Sequence, residues 1–295
     1  MNLMKYSLFY FMFSLIIILP GLYYLFTSGL KLGIDFTGGA LIEYKFEKKI
    51  DVDDLRGQIF SQGIEVGQIS PSSENTYIIR TKTIEQSKVD QLKSNLAQKF
   101  GTVEERRVEN VGPVIGAELS KKAFYALLLS SAAIVIYIAF SFRKIPKPTS
   151  SWRFGIAAVV ALMHDALVVV GIFAILGKFF SVEVDILFVT ALLTVIGFSV
   201  HDTIVVFDRI RENLLKGSFN RKFIDVANLS VVQTLGRSLN TSLTVVFVLI
   251  ALLLFGGETI KWFVVALLVG IISGTYSSIF NATALLVWWE QKLGH

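Results

Sequence analysis

Six apolar runs, each near twenty residues, constrain this chain more than any other feature. They lie at about 5–26, 122–141, 154–176, 185–207, 238–256 and 262–288, and an α-helix needs roughly 20 such residues to cross a bilayer. Inside hydrocarbon every backbone polar group must be satisfied within the segment, so runs of this length are helical. The composition agrees: 53% of residues are hydrophobic, 17% are charged and the mean hydropathy is +0.62. The expected fold class is a polytopic α-helical membrane protein with six transmembrane helices, the lipid bilayer being its solvent. There is no cysteine, which excludes disulfides and thiolate metal sites. The net charge of +5 gives no reason to expect nucleic acid, because the Lys and Arg residues collect beside the apolar runs, where the positive-inside rule accounts for them.

Loop charge sets the expected topology. Residues 142–153 carry Arg143, Lys144, Lys147 and Arg153 and no acid, and 208–237 carry Arg209, Arg211, Lys216, Arg221, Lys222 and Arg237. The alternate loops, 177–184 and 257–261, hold only Lys178 and Lys261 as bases, against Glu183 and Glu258. The basic side is expected to be cytoplasmic, with both termini there and 27–121 outside. The first run follows Lys5, exceeds a signal-peptide core in length and has no small-x-small site before Gly29, so it reads as an uncleaved anchor kinked at Pro20. The organisation that follows is a first transmembrane helix over 1–28, an extracytoplasmic domain over 29–120 and a five-helix membrane region over 121–295. Within that region, about 208–236 is expected to be an amphipathic cytoplasmic connector. There Phe219, Phe223 and Val226 would bury while Arg221 and Lys222 meet anionic headgroups.

The outer segment alternates strand and helix patterns. Leu41–Phe46 places Ile42, Tyr44 and Phe46 on one face of a strand. Asp51 suits the cap of a helix with Val52, Leu55 and Ile59 on one side. Glu65–Ile69 and Thr76–Thr81 read as strands about a turn at Ser70-Pro71-Ser72-Ser73. A helix over about 84–100 aligns Val89, Leu92, Leu96 and Phe100 and stops at Gly101, and 102–111 closes as a strand. The order β-α-β-β-α-β is that of a ferredoxin-like α+β domain.

Polar groups inside the apolar runs are the candidate site. A carboxylate at membrane depth costs roughly 3 kcal/mol or more, and Asp202 lies well inside the fourth run. His201 and Thr203 flank it, the pair His164-Asp165 interrupts the third run, and Arg237 opens the fifth. Val195, Phe198 and Asp202 share one stripe of the fourth helix; Arg237, Asn240, Thr241 and Thr244 share one of the fifth. If the stripes face each other, Arg237 holds Asp202 ionised, separation loads a proton and reapproach releases it. The competing reading is a static ion pair fastening the two helices. A metal site is not expected, since adjacent His and Asp project about 100° apart on a helix and no His-x-x-x-His or Glu-x-x-His spacing occurs. Gly33, Gly38 and Gly39 lack phosphate-loop spacing and read as a tight turn, with Asp35 capping or pairing locally. Gly112-Pro113 reads as a re-entry turn. Gly270, Gly274 and Ser278 recur every four residues, a small-x-x-x-small contact between helices.

Three motifs carry a family resemblance: Gly33-Ile34-Asp35-Phe36-Thr37-Gly38-Gly39, Val111-Gly112-Pro113-Val114-Ile115-Gly116, and the run from Leu193 through His201-Asp202-Thr203 to Asn213. Together they resemble the SecF side of the SecD/SecF family, within the RND superfamily. The resemblance implies an accessory subunit of the bacterial Sec export machinery, without covalent catalysis or cofactor, in the cytoplasmic (inner) membrane. It also implies SecD as partner, the SecYEG channel, with YidC and YajC as further candidates, and a translocating unfolded polypeptide, with proton-motive force as the energy source. Within it Asp202 is the expected proton carrier and Arg237 sets its affinity, supported by His201, Thr203, Asp165 and His164. The glycine motifs become hinges between outer domain and membrane. Phe198 and His201 stand where the family usually has Tyr and Asn. A structural subunit whose polar pairs act as helix glue, and half of an RND-type small-molecule exporter, are the alternatives.

Overall fold

The computed structural model describes residues 3–72, 75–143, 149–216 and 222–292. In chain order it contains a 3-10 turn Met4–Tyr6, α1 Ser7–Ser28, α2 Ile34–Thr37, β1 Gly39–Phe46, α3 Val52–Phe60, β2 Val66–Pro71, β3 Thr76–Thr81, α4 Gln86–Phe100 and β4 Val103–Val111. There follow α5 Pro113–Ser141, α6 Ser151–Phe180, α7 Ile186–Leu215, α8 Phe223–Phe255, α9 Glu258–Tyr276, a π-helical turn Ser277–Ala282 and α10 Thr283–Lys292. Two compact units result, one over 32–124 and the other over 1–31 with 125–295.

In the unit over 32–124 the four strands form one antiparallel sheet in the order β2-β3-β1-β4, the ferredoxin-like arrangement. Ile42, Tyr44 and Phe46 of β1 are buried against Leu55 and Ile59 of α3 and Val89, Leu92 and Leu96 of α4. The period-2 face of a strand meets two period-3.6 faces there, which is how a single sheet hides one side. The Asp51 carboxylate accepts from the Asp53 amide at 2.8 Å and caps α3. Gly101 ends α4 with φ at +89°. Of the expected turn at 70–73, Ser70 and Pro71 belong to β2 and Ser73 lies outside the described residues. As an edge strand β2 tolerates a residue with no amide to donate.

The glycine motifs have a steric cause. Gly38 and Gly39 adopt φ of +71° and +128°. A Cβ on Gly38 would lie 2.9 Å from the Pro113 Cα, and one on Gly39 would lie 2.7 Å from the Thr81 carbonyl oxygen. A Cβ on Gly116 would in turn sit 2.9 Å from the Gly38 nitrogen. The two motifs therefore pack backbone on backbone, with Pro113 as first residue of α5, where its missing N–H costs nothing. Gly33 precedes the short helix α2, which the sequence reading treats as part of a turn, and Asp35 sits in its first turn. Gly112 has open space around it.

Among the described residues six spans qualify by length and hydropathy. Each is longer than expected, extending past the expected limit at one end or both. The most-buried spans are α6, α7 and the sixth, formed by α9, the π turn and α10, while α5 and α8 leave most of their apolar surface uncovered. α1 runs on through Pro20 to Ser28 and crosses α6 at Gly21 and Gly171, where a Cβ on Gly21 would stand 2.7 Å from the Gly171 Cα. The Gly270, Gly274 and Ser278 stripe lies on α7: a Cβ added at Gly270 would overlap the Val195 side chain, and one at Gly274 would stand 3.1 Å from Ser199 Cβ. The Ser278 hydroxyl donates to the Ser199 carbonyl at 3.1 Å. Among the described residues, 208–215 and 223–236 belong to the helices of the flanking spans instead of a separate connector. α7 continues to Leu215 and α8 begins at Phe223, with Val226 and Ala227 buried. Val226, Ala227 and Val231 are buried there, the last two within the core of the helix bundle. Phe219 and Arg221 of that expectation, and Lys144 and Lys147, lie outside the described residues.

Candidate functional site

α7 positions the site by placing Ser199, Asp202 and Thr203 on the side that meets α9, all of them buried. Small residues on the sixth span make this approach possible, since a helix axis draws close only where no side chain intervenes. Asp202 is 2% exposed. The Ser242 hydroxyl of α8 points at its Oδ2 from 3.5 Å, and Ser242 and Thr275 of α9 share a hydrogen bond of 2.6 Å. The neighbouring Thr203 hydroxyl bonds that of Ser278 at 2.8 Å.

The expected opposition of Arg237 and Asp202 is not the geometry found. Arg237, Asn240, Thr241 and Thr244 are exposed, and α8 instead turns Thr234, Ser238 and Ser242 inward. Those three recur every four residues and are small enough to pack, whereas a guanidinium would need both volume and a counter-charge. Among the described residues Asp202 has no ion-pair partner and is surrounded by hydroxyls. His201 is exposed, one step around the helix from the acid.

Asp165 has the more complete shell. It is fully buried, and its Oδ2 accepts from Ser199 at 2.5 Å and Ser277 at 2.6 Å. Its Oδ1 is 2.9 Å from both the Ser273 hydroxyl and His164 Nδ1. His164 Nε2 continues to Ser14 of α1 at 2.9 Å, and Asn281 of the π turn closes on both. The adjacent His and Asp, expected to diverge, thus meet through the long imidazole arm. A π turn widens the helix by one residue per turn and is frequent at functional positions. Here it presents Ser277, Ser278 and Asn281 to three different helices.

Sequence reasoning placed both acids in the bundle. It missed Ser242, Ser273, Thr275 and Ser14, although hydroxyls at Thr234, Ser238 and Ser242, spaced by four in an apolar run, are a readable signal. Among the described residues no group of three or more His, Cys, Asp or Glu gathers as a metal centre requires.

Six apolar spans, with two hydrogen-bonded carboxylates buried between five of them and an antiparallel β-α-β-β-α-β unit between the first and second in sequence, define a polytopic membrane protein with one small α+β unit. The chain belongs to the SecD/SecF family of protein export membrane proteins. The family's C-terminal profile matches residues 91–292 and its GG-motif profile residues 23–50. The chain is similar to protein translocase subunit SecF of Thermobaculum terrenum, 49% identical over 99% of this chain and 94% of that protein. It is also similar to that of Anaerolinea thermophila, 42% identical over 99% and 94%. A crystal structure of SecDF from Thermus thermophilus, described as a translocon-associated membrane protein, superimposes with a TM-score of 0.85 at 33% identity, covering 99% of this chain. The chain spans 39% of that longer one.

Proposed function

We propose that this chain is a SecF-type subunit that joins a SecD-type partner beside the Sec channel and uses inward proton flow to promote polypeptide export. The observation that carries the reading is Asp202, held within a membrane span by hydroxyls and without a counter-ion among the described residues. Such a carboxylate has few structural excuses. One proton crossing about 150 mV releases roughly 3.5 kcal/mol, enough to bias a two-state movement.

The partner follows from surfaces left open. Arg237, Asn240, Thr241 and Thr244 form an exposed polar stripe on a helix long and apolar enough to span; the two threonine hydroxyls bond their own helix backbone, but lipid cannot satisfy the guanidinium and amide of Arg237 and Asn240. Transmembrane helices of a second subunit can. The SecF names of the relatives and the longer SecDF chain support SecD for that place. In membrane vesicles containing this chain, SecD and SecYEG, an imposed proton gradient should raise export and an uncoupler should remove the gain. Export indifferent to both would sink the coupling.

The cytoplasmic (inner) membrane is the proposed location, with both termini on the cytoplasmic side and the outer unit opposite. Single cysteines at Ser72→Cys and Lys216→Cys should react with an impermeant reagent from opposite faces of sealed vesicles. Labelling from one face alone would overturn the orientation.

A further inference from the structure

α1 and α6 run side by side in one direction. Gly21 meets Gly171 backbone on backbone, and seven residues earlier on each helix the Ser14 hydroxyl stands 2.9 Å from His164 Nε2. Beside that bridge the space between the two helices and the sixth span is left open. The cause is local, because α6 turns Ala157 and Ala161 toward it, both buried and both short. The result is a cavity of about 420 Å³. Ser14, His164 and Asn281 form its floor. Ser14 bonds both of the others, so the surface they turn to the cavity is almost wholly apolar. Leu15, Val160 and Met163 form its rim and are about half exposed.

A cleft on the side of a membrane span meets hydrocarbon, and lining atoms with nothing opposite them forfeit their dispersion contacts. Two occupants have the chemistry to fill it, a helix of another subunit and the tail of a lipid. Helices approach closely in membranes where small residues let their backbones meet. The small residues here lie deep in the cavity, and its rim is built of large side chains. A helix about 10 Å across is held off by that rim, whereas a single acyl chain fits within it. Depth and charge agree with the lipid. Leu285 of α10 lines the cavity, and Lys292, two turns on, shares its face and is exposed. The Lys292 ammonium stands 4.2 Å from the centroid of the Trp288 ring, and both Trp288 and Trp152 are exposed. Tryptophan with a basic side chain at a helix end is how a span meets the headgroups. Lys292 and Asn281 are eleven residues apart, about 16 Å along a helix, and one leaflet's share of the hydrocarbon core is about 15 Å. A tail whose headgroup lies level with Lys292 therefore ends beside Asn281.

We propose that the cavity seats one acyl chain of a phospholipid whose phosphate lies beside Lys292. The chain completes the packing of α1 against the sixth span and covers Ser14, His164 and Asn281 on their open side. Lipid is then a structural ligand of the bundle at the π turn, held in one place and exchanging more slowly than the lipid around α5 and α8. The inference needs only the membrane-spanning fold, and it stands whether or not proton flow drives export.

The test uses the full chain in phosphatidylcholine nanodiscs that contain phosphatidylglycerol with a diazirine at the end of one acyl chain. After illumination, peptide mass spectrometry should find adducts concentrated on 11–18, 157–167 and 281–285. They should exceed those at Phe247, Val248 and Leu254 of α8, which are more exposed than the rim. Equal labelling of the two regions would show ordinary solvating lipid and overturn the proposal. Val160→Trp and Met163→Trp enlarge the rim at exposed positions, so cavity labelling should fall to the α8 level. Unchanged labelling of α8 in the same samples shows that the fold persists, and cavity labelling that survives both variants would count against the site. Lys292→Gln should reduce labelling by the phosphatidylglycerol probe about fivefold, the contribution of one basic side chain beside anionic lipid. A diacylglycerol probe, which has no phosphate, should label the cavity weakly and be indifferent to Lys292→Gln. If it labelled the wild type as strongly as phosphatidylglycerol does, the phosphate would have no part in the site. With a SecD-type partner present the labelling should persist, and its selective loss would assign the cavity to a partner helix instead.

Discussion

Asp202→Asn is expected to abolish proton-dependent export while membrane insertion and binding of the partner chain continue. Asparagine keeps the size of the side chain and can still accept from Ser242, which stands 3.5 Å from the acid's Oδ2. What it removes is the capacity to bind and release a proton. Residual, gradient-independent export should match that of the wild type without a gradient. The companion variants separate charge from packing. Arg237→Lys keeps the charge of an exposed position and should impair export less than Arg237→Ala, although the planar fork is lost in both. His201→Asn should be tolerated, because His201 is exposed and turned from the ring of hydroxyls. Measured in vesicles with and without an imposed gradient, full coupling in Asp202→Asn would leave helix fastening as the better account of this carboxylate.

The sequence made some of these relations readable and hid others, for physical reasons. Period and length suffice for an amphipathic strand or an apolar span, so β1 with Ile42, Tyr44 and Phe46 could be assigned before any coordinates. The small-residue stripe on the sixth span was readable on the same ground. Which face of a span turns inward is harder. Lipid accepts apolar side chains as readily as the bundle does, so the moment that orients a helix in water is weak here. α8 shows the consequence: two polar stripes compete, and the one with a guanidinium attracts notice although the hydroxyl stripe packs. Backbone departures are harder still. Nothing in Ser277–Ala282 marks a π turn, because its stabilisation comes from Asp165, His164 and Thr203 on distant segments. The Gly21 and Gly171 contact was missed for a related reason, since a lone glycine in a span is common and its partner lies on another helix.

Arg153 and Glu290 show how charge counting overlooks a bond, and they give the largest expected effect on stability. Arg153 entered the topology argument as one basic residue among four. In the fold its Nη1 lies 2.8 Å from Glu290 Oε2, with the side chains 13% and 2% exposed. The bond ties the first turn of α6 to the last turns of α10. Trp152 and Trp289 meet edge-on beside it with centroids 4.9 Å apart. Breaking a buried pair strands one charge, at a cost of about 3–5 kcal/mol, whereas replacing both partners with apolar groups is often neutral. Glu290→Leu should therefore destabilise the membrane unit strongly, and Arg153→Leu comparably, because Glu290 is the more deeply buried. The double variant should recover most of the loss. Fraying of the α6–α10 corner should appear as faster amide exchange there, while the unit over 32–124, with its own core, keeps its protection. Unfolding by detergent titration of the four chains in the cycle gives the coupling. Additive losses would show that the two charges are separately solvated and that aromatic packing, with the buried helix faces, holds this corner together.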